Sequence, residues 1–224
     1  MHSELLKRVS LFEGLNDEEL STLSQVALPR LFPKDRVVIM AEDEGDTLFV
    51  ISTGQVKVSI VSEDGREVIL SMLGKGNFFG EMSLLDGHPR SANVTTMQET
   101  ELLMLRRADF LRLIQNKPQI AVKLLAVLAS RLRKTDRKIK GLALSDVTGR
   151  ITQTLLQLAE EQGSTTPEGV LIHNRPTHQD LANMSGTTRE TVSRVLKRLE
   201  SQGYIVHKGK DLLIVGADLP VSDS

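Results

Sequence analysis

The sequence contains no cysteine among its 224 residues. This absence excludes disulfide bonds, thiolate zinc sites, cysteine-ligated iron–sulfur clusters and cysteine nucleophiles. Aromatic residues make up only 3% of the chain and tryptophan is missing, which argues against recognition built on stacked bases. No apolar run approaches the length of a membrane span, and the N-terminal residues lack the apolar core of a signal peptide. We therefore expect a cytoplasmic protein with no membrane partner.

The chain also has almost no net charge. Its 28 basic and 29 acidic residues give a formal charge of −1. Any surface that binds nucleic acid must therefore be local. Hydrophobic residues make up 40% and charged residues 25%, which is the balance of a folded globular chain, and the length fits one large domain or two modest ones.

Short apolar segments separated by glycines dominate residues 1–116. In Gln55–Ile60 the apolar residues occupy alternate positions, which predicts a strand with one buried face. Asp64 and Gly65 indicate a hairpin turn, because glycine accepts the positive φ that such turns require. Four further segments are predicted as strands: Arg36–Met40, Leu48–Ile51, Glu67–Leu73 and Glu101–Leu105. So many short strands predict a closed roll or a sandwich.

A long helix is predicted over residues 117–142. Pro118 suits the first turn of a helix, and no glycine follows until Gly141. A narrow stripe recurs at three- and four-residue steps and comprises Ile120, Leu124, Val127, Leu128, Leu132, Thr135, Ile139 and Leu142. One explanation is a solvated surface helix with a charged face, but the length and the stripe favour a two-stranded coiled-coil dimer interface. Residues 143–146 are predicted to form a hinge.

The C-terminal part, residues 147–224, begins with an amphipathic pattern over Val147–Glu161 that predicts a helix. The segment Gly163–Gly169 is rich in serine, threonine and proline and is predicted to be a surface turn.

Residues 177–196 carry two helix signals separated by a short turn. Thr177 is a good N-cap, Asp180 follows at the positive end of the first helix, and Gly186 ends that helix. Thr187 or Thr188 caps the second helix. Its inward stripe comprises Val192, Val195, Leu196 and Leu199, and its opposite face comprises Arg189, Glu190, Ser193, Arg194 and Lys197. This is the pattern of a helix-turn-helix.

The outward face of the second helix suits readout of a DNA major groove. Arginine can bond guanine O6 and N7 with two donors, and glutamate can accept from cytosine N4. Tyr204–His207 and Leu212–Val215 flank lysines at a hairpin tip, and basic residues outnumber acidic ones between Leu171 and Lys210, which gives a local surface that neutralises phosphates. The alternative is a helix pair that serves only as core or interface. The combined pattern favours double-stranded DNA as a partner, and the predicted contacts are Thr177, Thr188, Arg189, Glu190, Ser193, Arg194, Lys197 and Lys208.

Three segments carry a resemblance to known proteins: Phe79–Ala92, Leu144–Ile151 and Thr188–Arg194. Through them the chain resembles, essentially end to end, the catabolite activator protein and fumarate–nitrate regulator family of bacterial transcription factors. The resemblance implies an α+β protein with an N-terminal cyclic-nucleotide-binding β-roll of the jelly-roll type, a long dimerisation helix and a C-terminal winged helix-turn-helix that reads a palindromic site.

The segment Phe79–Ala92 matches the phosphate-binding cassette of this family at Gly80, Glu81, Arg90 and Ser91. Free N–H groups at the start of a short helix and the paired donors of Arg90 suit a phosphate, and the carboxylate of Glu81 suits a sugar hydroxyl. The alternative is a glycine turn with a surface ion pair between Glu81 and Arg90. The full motif favours the cassette.

In cAMP-binding relatives, two adjacent polar residues of the long helix, one from each subunit, hold the amino group of adenine. That pair falls on Thr135 and Asp136, with Arg131 one turn earlier. Thr135 matches the family, whereas Asp136 departs from the usual serine or asparagine. A carboxylate accepts from the amine of adenine and equally from the two adjacent donors of guanine. The resemblance therefore implies cAMP as the effector, with cGMP or cyclic di-GMP left open, and no metal.

The same resemblance implies a homodimer in which the effector shifts the population toward one arrangement of two recognition helices, about 34 Å apart. Arg189, Glu190 and Arg194 imply a half-site like TGTGA. The loop Glu63–Glu67 matches a hairpin that touches RNA polymerase in relatives, although an exposed turn needs no such role. The sequence does not decide whether the protein activates or represses transcription, or whether the effector activates or inhibits DNA binding.

Three other classes of protein compete with this interpretation. A heme or iron–sulfur sensor has no cysteine for a cluster, and His88 beside Pro89 suits a turn better than a ligand. An enzyme is not indicated, because the histidines are scattered and the acidic run Glu42–Asp46 suits a solvated turn. A family member that binds DNA without an effector is the third class, and the intact cassette speaks against it.

Overall fold

The computed structural model describes residues 2–215 and divides the chain into two compact units, with the boundary between Leu132 and Arg133. Met1 and residues 216–224, which the sequence analysis includes in the terminal domains, lie outside the described residues.

The first unit contains two antiparallel sheets of four strands. The strands are β1 (Leu28–Phe32), β2 (Val37–Ile39), β3 (Thr47–Thr53), β4 (Gln55–Val61), β5 (Glu67–Gly74), β6 (Phe78–Phe79), β7 (Asn93–Thr96) and β8 (Thr100–Arg106). One sheet has the order β1-β8-β3-β6 and the other β2-β7-β4-β5. The hairpin predicted at Asp64 and Gly65 joins β4 to β5, and Gly65 has a φ of 81°. The predicted roll is confirmed.

Helices pack around the roll. They are α1 (His2–Leu6), α2 (Asp17–Val26), α3 (Glu81–Asp86) and α4 (Arg107–Asn116), with a 3₁₀ helix at Ser10–Phe12. A capping box between Asn16 and Glu19 starts α2. A core cluster drawn from both sheets includes Phe49 and Phe79, whose rings stack with centroids 5.1 Å apart. That stacking fixes β6, and with it the start of α3, against the roll.

The long helix α5 (Pro118–Leu144) differs from its prediction in two ways. Ile120 and Leu124 are 2% and 3% exposed and belong to a core cluster of the roll, so the first part of the predicted dimer stripe is used within the chain. The exposed apolar row comprises Leu132, Ile139 and Leu142 of the predicted stripe, together with Val122 and Leu125, which the prediction left out. The helix also continues to Leu144, so that residues 143 and 144 of the predicted hinge are helical and the break is limited to Ser145 and Asp146.

The second unit contains a four-stranded sheet and three further helices. The elements are α6 (Val147–Gln162), β9 (Gly163–Thr166), β10 (Gly169–Ile172), α7 (His178–Ser185), α8 (Arg189–Ser201), β11 (Ile205–Lys208) and β12 (Asp211–Val215). The sheet order is β11-β12-β10-β9. The prediction of a surface turn over Gly163–Gly169 is wrong, because its first four residues pair with β10 as a hairpin. The α+β fold is confirmed, as are the helix-turn-helix of α7 and α8 and the wing, which is the hairpin of β11 and β12.

No helix among residues 2–215 is long and apolar enough to cross a membrane. In the same part of the chain, histidine and carboxylate side chains form no group of three or more that is suited to hold a metal ion.

Candidate effector and DNA-binding sites

Two glycines of the first unit lie directly against Arg90. Gly80 adopts a left-handed φ of 83° before α3, and a side chain there would lie 2.7 Å from Nη1 of Arg90. A side chain at Gly45 would collide with the same guanidinium. The backbone therefore closes around Arg90 only because both positions lack a Cβ. Gly80, Gly45, Arg90, Glu81 and Arg131 are called the roll site below.

Arg90 is a buried cation, with 6% of its surface exposed. Its Nη1 donates to the Gly80 carbonyl at 2.7 Å and its Nη2 to the Thr47 carbonyl at 2.9 Å. Burial lowers the pKa of Arg90, against the opposing influence of Asp46 and Glu81. Because arginine stays charged in proteins, this guanidinium is poorly compensated by neutral carbonyls, and an anion would stabilise it.

Glu81 supplies a buried acceptor in the roll site. It is 2% exposed, and its Oε1 accepts from Nη1 of Arg131 at 2.5 Å. Arg131 also donates to the Phe78 carbonyl and lies over the Phe78 ring, 5.0 Å from its centroid. The other carboxylate oxygen, Oε2, is buried and has no hydrogen-bond partner among the described residues. A ligand that carries both a negative charge and a hydroxyl group fits these two demands.

The structure thus brings together Gly80, Glu81, Arg90 and Arg131 of the predicted effector residues. Ser91 is exposed, and its hydroxyl lies 3.6 Å from the sulfur of Met82. Thr135 and Asp136 are exposed on α5 beyond the unit boundary, so their role toward a base stays a prediction. Sequence reasoning missed Gly45, whose only signal was its place in an acidic turn.

The helix-turn-helix is held by side-chain caps. Thr177 Oγ1 accepts from the Asp180 N–H, and the Asp180 carboxylate accepts from the Thr177 N–H. Thr188 Oγ1 accepts from the Thr191 N–H at 3.3 Å. Gly186 ends α7 in the left-handed conformation with a φ of 61°. The predicted inward stripe is confirmed, since Val192, Val195, Leu196 and Leu199 are buried.

The outward face of α8 is accessible. Arg189, Glu190, Arg194 and Lys197 are exposed. Ser193 is half-buried, and its hydroxyl forms a 2.8 Å hydrogen bond with Nδ1 of His178. At the wing, Lys208 donates to Glu168 at 2.5 Å in an exposed ion pair. These side chains are placed on one helix face and one hairpin, and their contacts with DNA stay predictions.

A cavity of about 690 Å³ opens beside α7, and its lining includes Arg175, Thr177, His178, Arg189 and Lys210. Three of these five residues are permanent cations. Burial lowers the pKa of His178, and the positive charges of Arg175, His207 and Arg189 lower it further. The sequence analysis did not name Arg175, His178 or Lys210 as DNA contacts, although Arg175 and Lys210 lie in the segment Leu171–Lys210, whose excess of basic residues it noted. The arrangement suits a phosphate group.

Comparison with known proteins identifies two domains in the chain. Residues 29–117 match the cyclic nucleotide-binding domain, and residues 149–218 match the Crp-like helix-turn-helix domain. The CRP-like cAMP-activated global transcriptional regulator of Mycobacterium tuberculosis is 34% identical over 211 residues, which cover 94% of each chain. This chain belongs to the CRP family of transcription regulators.

Two further relatives support membership of the CRP family. The cAMP-activated global transcriptional regulator CRP of Pasteurella multocida is 41% identical over 187 residues, 83% of this chain and 88% of that protein. The structure of the c-di-GMP responsive global regulator CLP of Xanthomonas campestris has a TM-score of 0.75 at 30% identity, and the match covers 90% of this chain and all of that one. The family resemblance inferred from the sequence is confirmed.

The environment of His178 leads to a prediction about its titration. In an NMR pH titration, we expect the pKa of His178 to lie below its ordinary value of about 6.5. Arg175→Gln should raise that pKa, because loss of a neighbouring positive charge favours the imidazolium. Arg198→Gln removes an exposed arginine of α8 and serves as the control, which should leave the titration of His178 unchanged. A wild-type pKa at or above the ordinary value would contradict the prediction.

Proposed function

We propose that the protein is a homodimeric, cyclic-nucleotide-responsive transcription regulator with cAMP as the preferred effector. The observation that carries the proposal is the roll site, where a buried guanidinium and a buried carboxylate oxygen without a partner lie in the segment that matches the cyclic nucleotide-binding domain. A cyclic nucleotide supplies one anionic phosphate and a free sugar hydroxyl, which are the two groups that this site lacks.

The charged residues of the roll site and three further predicted residues, Ser91, Thr135 and Asp136, each have a defined part in binding. Arg90, Ser91 and the N–H groups at the start of α3 hold the phosphate, since arginine and hydroxyl donors suit its oxygens. Oε2 of Glu81 accepts from the sugar hydroxyl, while Arg131 holds Oε1 and so orients the carboxylate. Thr135 and Asp136 hold the base.

The choice of nucleotide depends on Asp136. Two relatives are named as cAMP-activated, at 34% and 41% identity, which supports cAMP. A carboxylate also accepts from the adjacent N1–H and N2–H₂ donors of guanine, and the Xanthomonas relative is named as responsive to c-di-GMP. For these reasons cGMP and cyclic di-GMP are the alternatives, and regulation of DNA binding without an effector is a weaker one.

The exposed row on α5 supports the homodimer. Val122, Leu125, Leu132 and Ile139 are each at least 59% exposed, and their spacing of three, seven and seven residues is that of a heptad seam. Apolar side chains in such a row are usually covered by a partner. A second copy of α5 provides the complementary row, and two copies present two recognition helices to a palindromic site.

Effector binding then favours one arrangement of the two recognition helices over another. Arg189, Glu190 and Arg194 read the base edges, and Lys197 and Lys208 neutralise phosphates. The proposal also includes a half-site with a sequence like TGTGA and a contact with RNA polymerase. It assigns the protein no catalytic site, no bound metal and a cytoplasmic location.

Calorimetry with cAMP, cGMP and cyclic di-GMP tests the effector. We expect wild type to bind one of them and Arg90→Gln to lose at least about 2 kcal/mol of binding, or about 30-fold in affinity, because the substitution leaves the phosphate without its buried cation. Asp136→Ser should weaken the binding of cGMP more than the binding of cAMP. The control is Arg112→Gln, since the Arg112 side chain is 72% exposed. Unchanged binding by a folded Arg90→Gln variant would contradict the assignment.

Binding to operator variants tests the DNA surface. On a duplex with two inverted TGTGA half-sites, Arg189→Ala should cost about 1–3 kcal/mol and relax preference at one base pair, because it removes a bidentate contact to guanine. Lys197→Ala should instead weaken binding to all sequences by the same factor. It should also reduce the slope of log affinity against log salt concentration by about one, because one phosphate contact is lost. Fluorescence anisotropy across single-base variants separates the two patterns. Uniform weakening by Arg189→Ala would make Arg189 a phosphate contact.

Sedimentation velocity tests the dimer. Leu132→Glu places a charge in the exposed row and should yield a monomer that keeps its fold, because the Leu132 side chain is 62% exposed and fills no core position. Leu28→Glu, at an exposed leucine of β1, should leave the dimer intact. A Leu132→Glu protein that sediments as wild type would show that this row is not the interface.

A further inference from the structure

A methionine in the first turn of α3 contacts one of the predicted phosphate ligands. The hydroxyl of Ser91 donates to the sulfur of Met82 at 3.6 Å. A thioether sulfur is a weak hydrogen-bond acceptor, so the hydroxyl can readily exchange this bond for a stronger one to a phosphate oxygen. The unmodified Met82 side chain therefore keeps the Ser91 hydroxyl in place without withholding it from a ligand.

Met82 is also accessible to small molecules in solution, since 47% of its surface is exposed. Among residues 2–215, the other methionine with a large exposed surface is Met40, at 57%. Met72 and Met184 are buried, with exposed fractions of 5% and 9%. An oxidant that attacks thioethers would therefore reach Met40 and Met82 before these two buried side chains.

Hydrogen peroxide is an oxidant that converts such a side chain to methionine sulfoxide. A lone pair of the sulfur attacks one peroxide oxygen, the O–O bond breaks, and the second oxygen takes the proton of the first and leaves as water. The sulfur is oxidised by two electrons and the peroxide is reduced by the same two. The sulfoxide oxygen carries a partial negative charge, so it accepts a hydrogen bond much more strongly than the thioether sulfur does.

We propose that Met82 is a site of reversible oxidation by peroxides and that its sulfoxide weakens the binding of the effector phosphate. The inference rests on the proposed function, because it assigns a form of regulation to the same phosphate-binding segment. The sulfoxide oxygen holds the Ser91 hydroxyl and so competes with the phosphate for this donor. It also places a partial negative charge beside an anionic ligand, which opposes binding. Arg90 is unchanged, so binding is weakened and not abolished.

Calorimetry on reduced, oxidised and repaired wild type tests the inference. Hydrogen peroxide is applied until mass spectrometry shows that Met40 and Met82 are oxidised while Met72 and Met184 are not. The titrant is whichever of cAMP, cGMP and cyclic di-GMP the reduced protein binds most tightly. We expect oxidation to weaken its binding about tenfold, the scale of one hydrogen bond to a charged group. Methionine sulfoxide reductases of both stereospecificities should restore the original affinity.

Three variants assign the effect to one sulfur atom and one hydroxyl group. Met82→Leu keeps an apolar side chain without a sulfur, so it should bind the effector like the reduced wild type and keep that affinity after peroxide treatment. Met40→Leu removes the other exposed sulfur and is the matched control, which should lose affinity on oxidation as wild type does. Ser91→Ala should bind more weakly before oxidation and lose little more after it, because the hydroxyl that the sulfoxide would hold is missing.

The outcomes separate this inference from the proposed function. A reduced wild type that binds none of the three nucleotides overturns both. A wild type that binds one of them equally well with Met82 reduced and oxidised overturns only the inference. A loss of affinity that persists in Met82→Leu, or disappears in Met40→Leu, also overturns it, because the sensitive sulfur then lies elsewhere. A full tenfold loss in Ser91→Ala would overturn the competition for the hydroxyl.

Discussion

The burial of the Arg90 guanidinium is the interaction on which the rest of the protein depends. A charge taken out of water must be compensated, and carbonyl oxygens alone compensate it incompletely. The roll brings Gly45, Gly80 and the carbonyl of Thr47 against this one side chain. A side chain at either glycine would collide with the guanidinium and force it to move. The closed roll therefore keeps an arginine in a place where an anionic ligand is its best available partner.

The contrast between β4 and β9 shows where a sequence pattern identifies a strand and where it does not. β4 alternates apolar and polar residues and was found, whereas β9 has the sequence Gly-Ser-Thr-Thr and was assigned to a turn. The cassette predicted Gly80, Glu81 and Arg90 because they lie close together in a motif. It could not predict Gly45, since the approach of Gly45 to Arg90 spans 45 residues and arises only when the roll closes.

The long helix shows a different limit of periodicity. A three- and four-residue repeat identifies a helical face but does not say what the face packs against. Ile120 and Leu124 lie in the core of the roll, while Leu125 and Leu132, on a neighbouring face, are exposed. A single helix therefore serves two purposes at once, and the predicted stripe combined the buried Ile120 and Leu124 with the exposed Leu132 but left out Leu125. The burial of the side chains separates the two faces. Asp136 is exposed and lies two heptads after Val122, so it falls on the same face as the exposed row.

The two sites use charge in opposite ways, and this difference follows from burial. In the roll site the charges are enclosed, so salt screens them little and their geometry is fixed by short hydrogen bonds. On α8 the charges are exposed and cost little to keep in water, and contacts between exposed cations and phosphates are weakened steeply by salt. A chain with a net charge of −1 can bind DNA only if such cations are concentrated on one surface. Enclosed charges and exposed charges respond differently to salt, so the salt dependence of binding distinguishes a ligand held in the roll site from one held on α8.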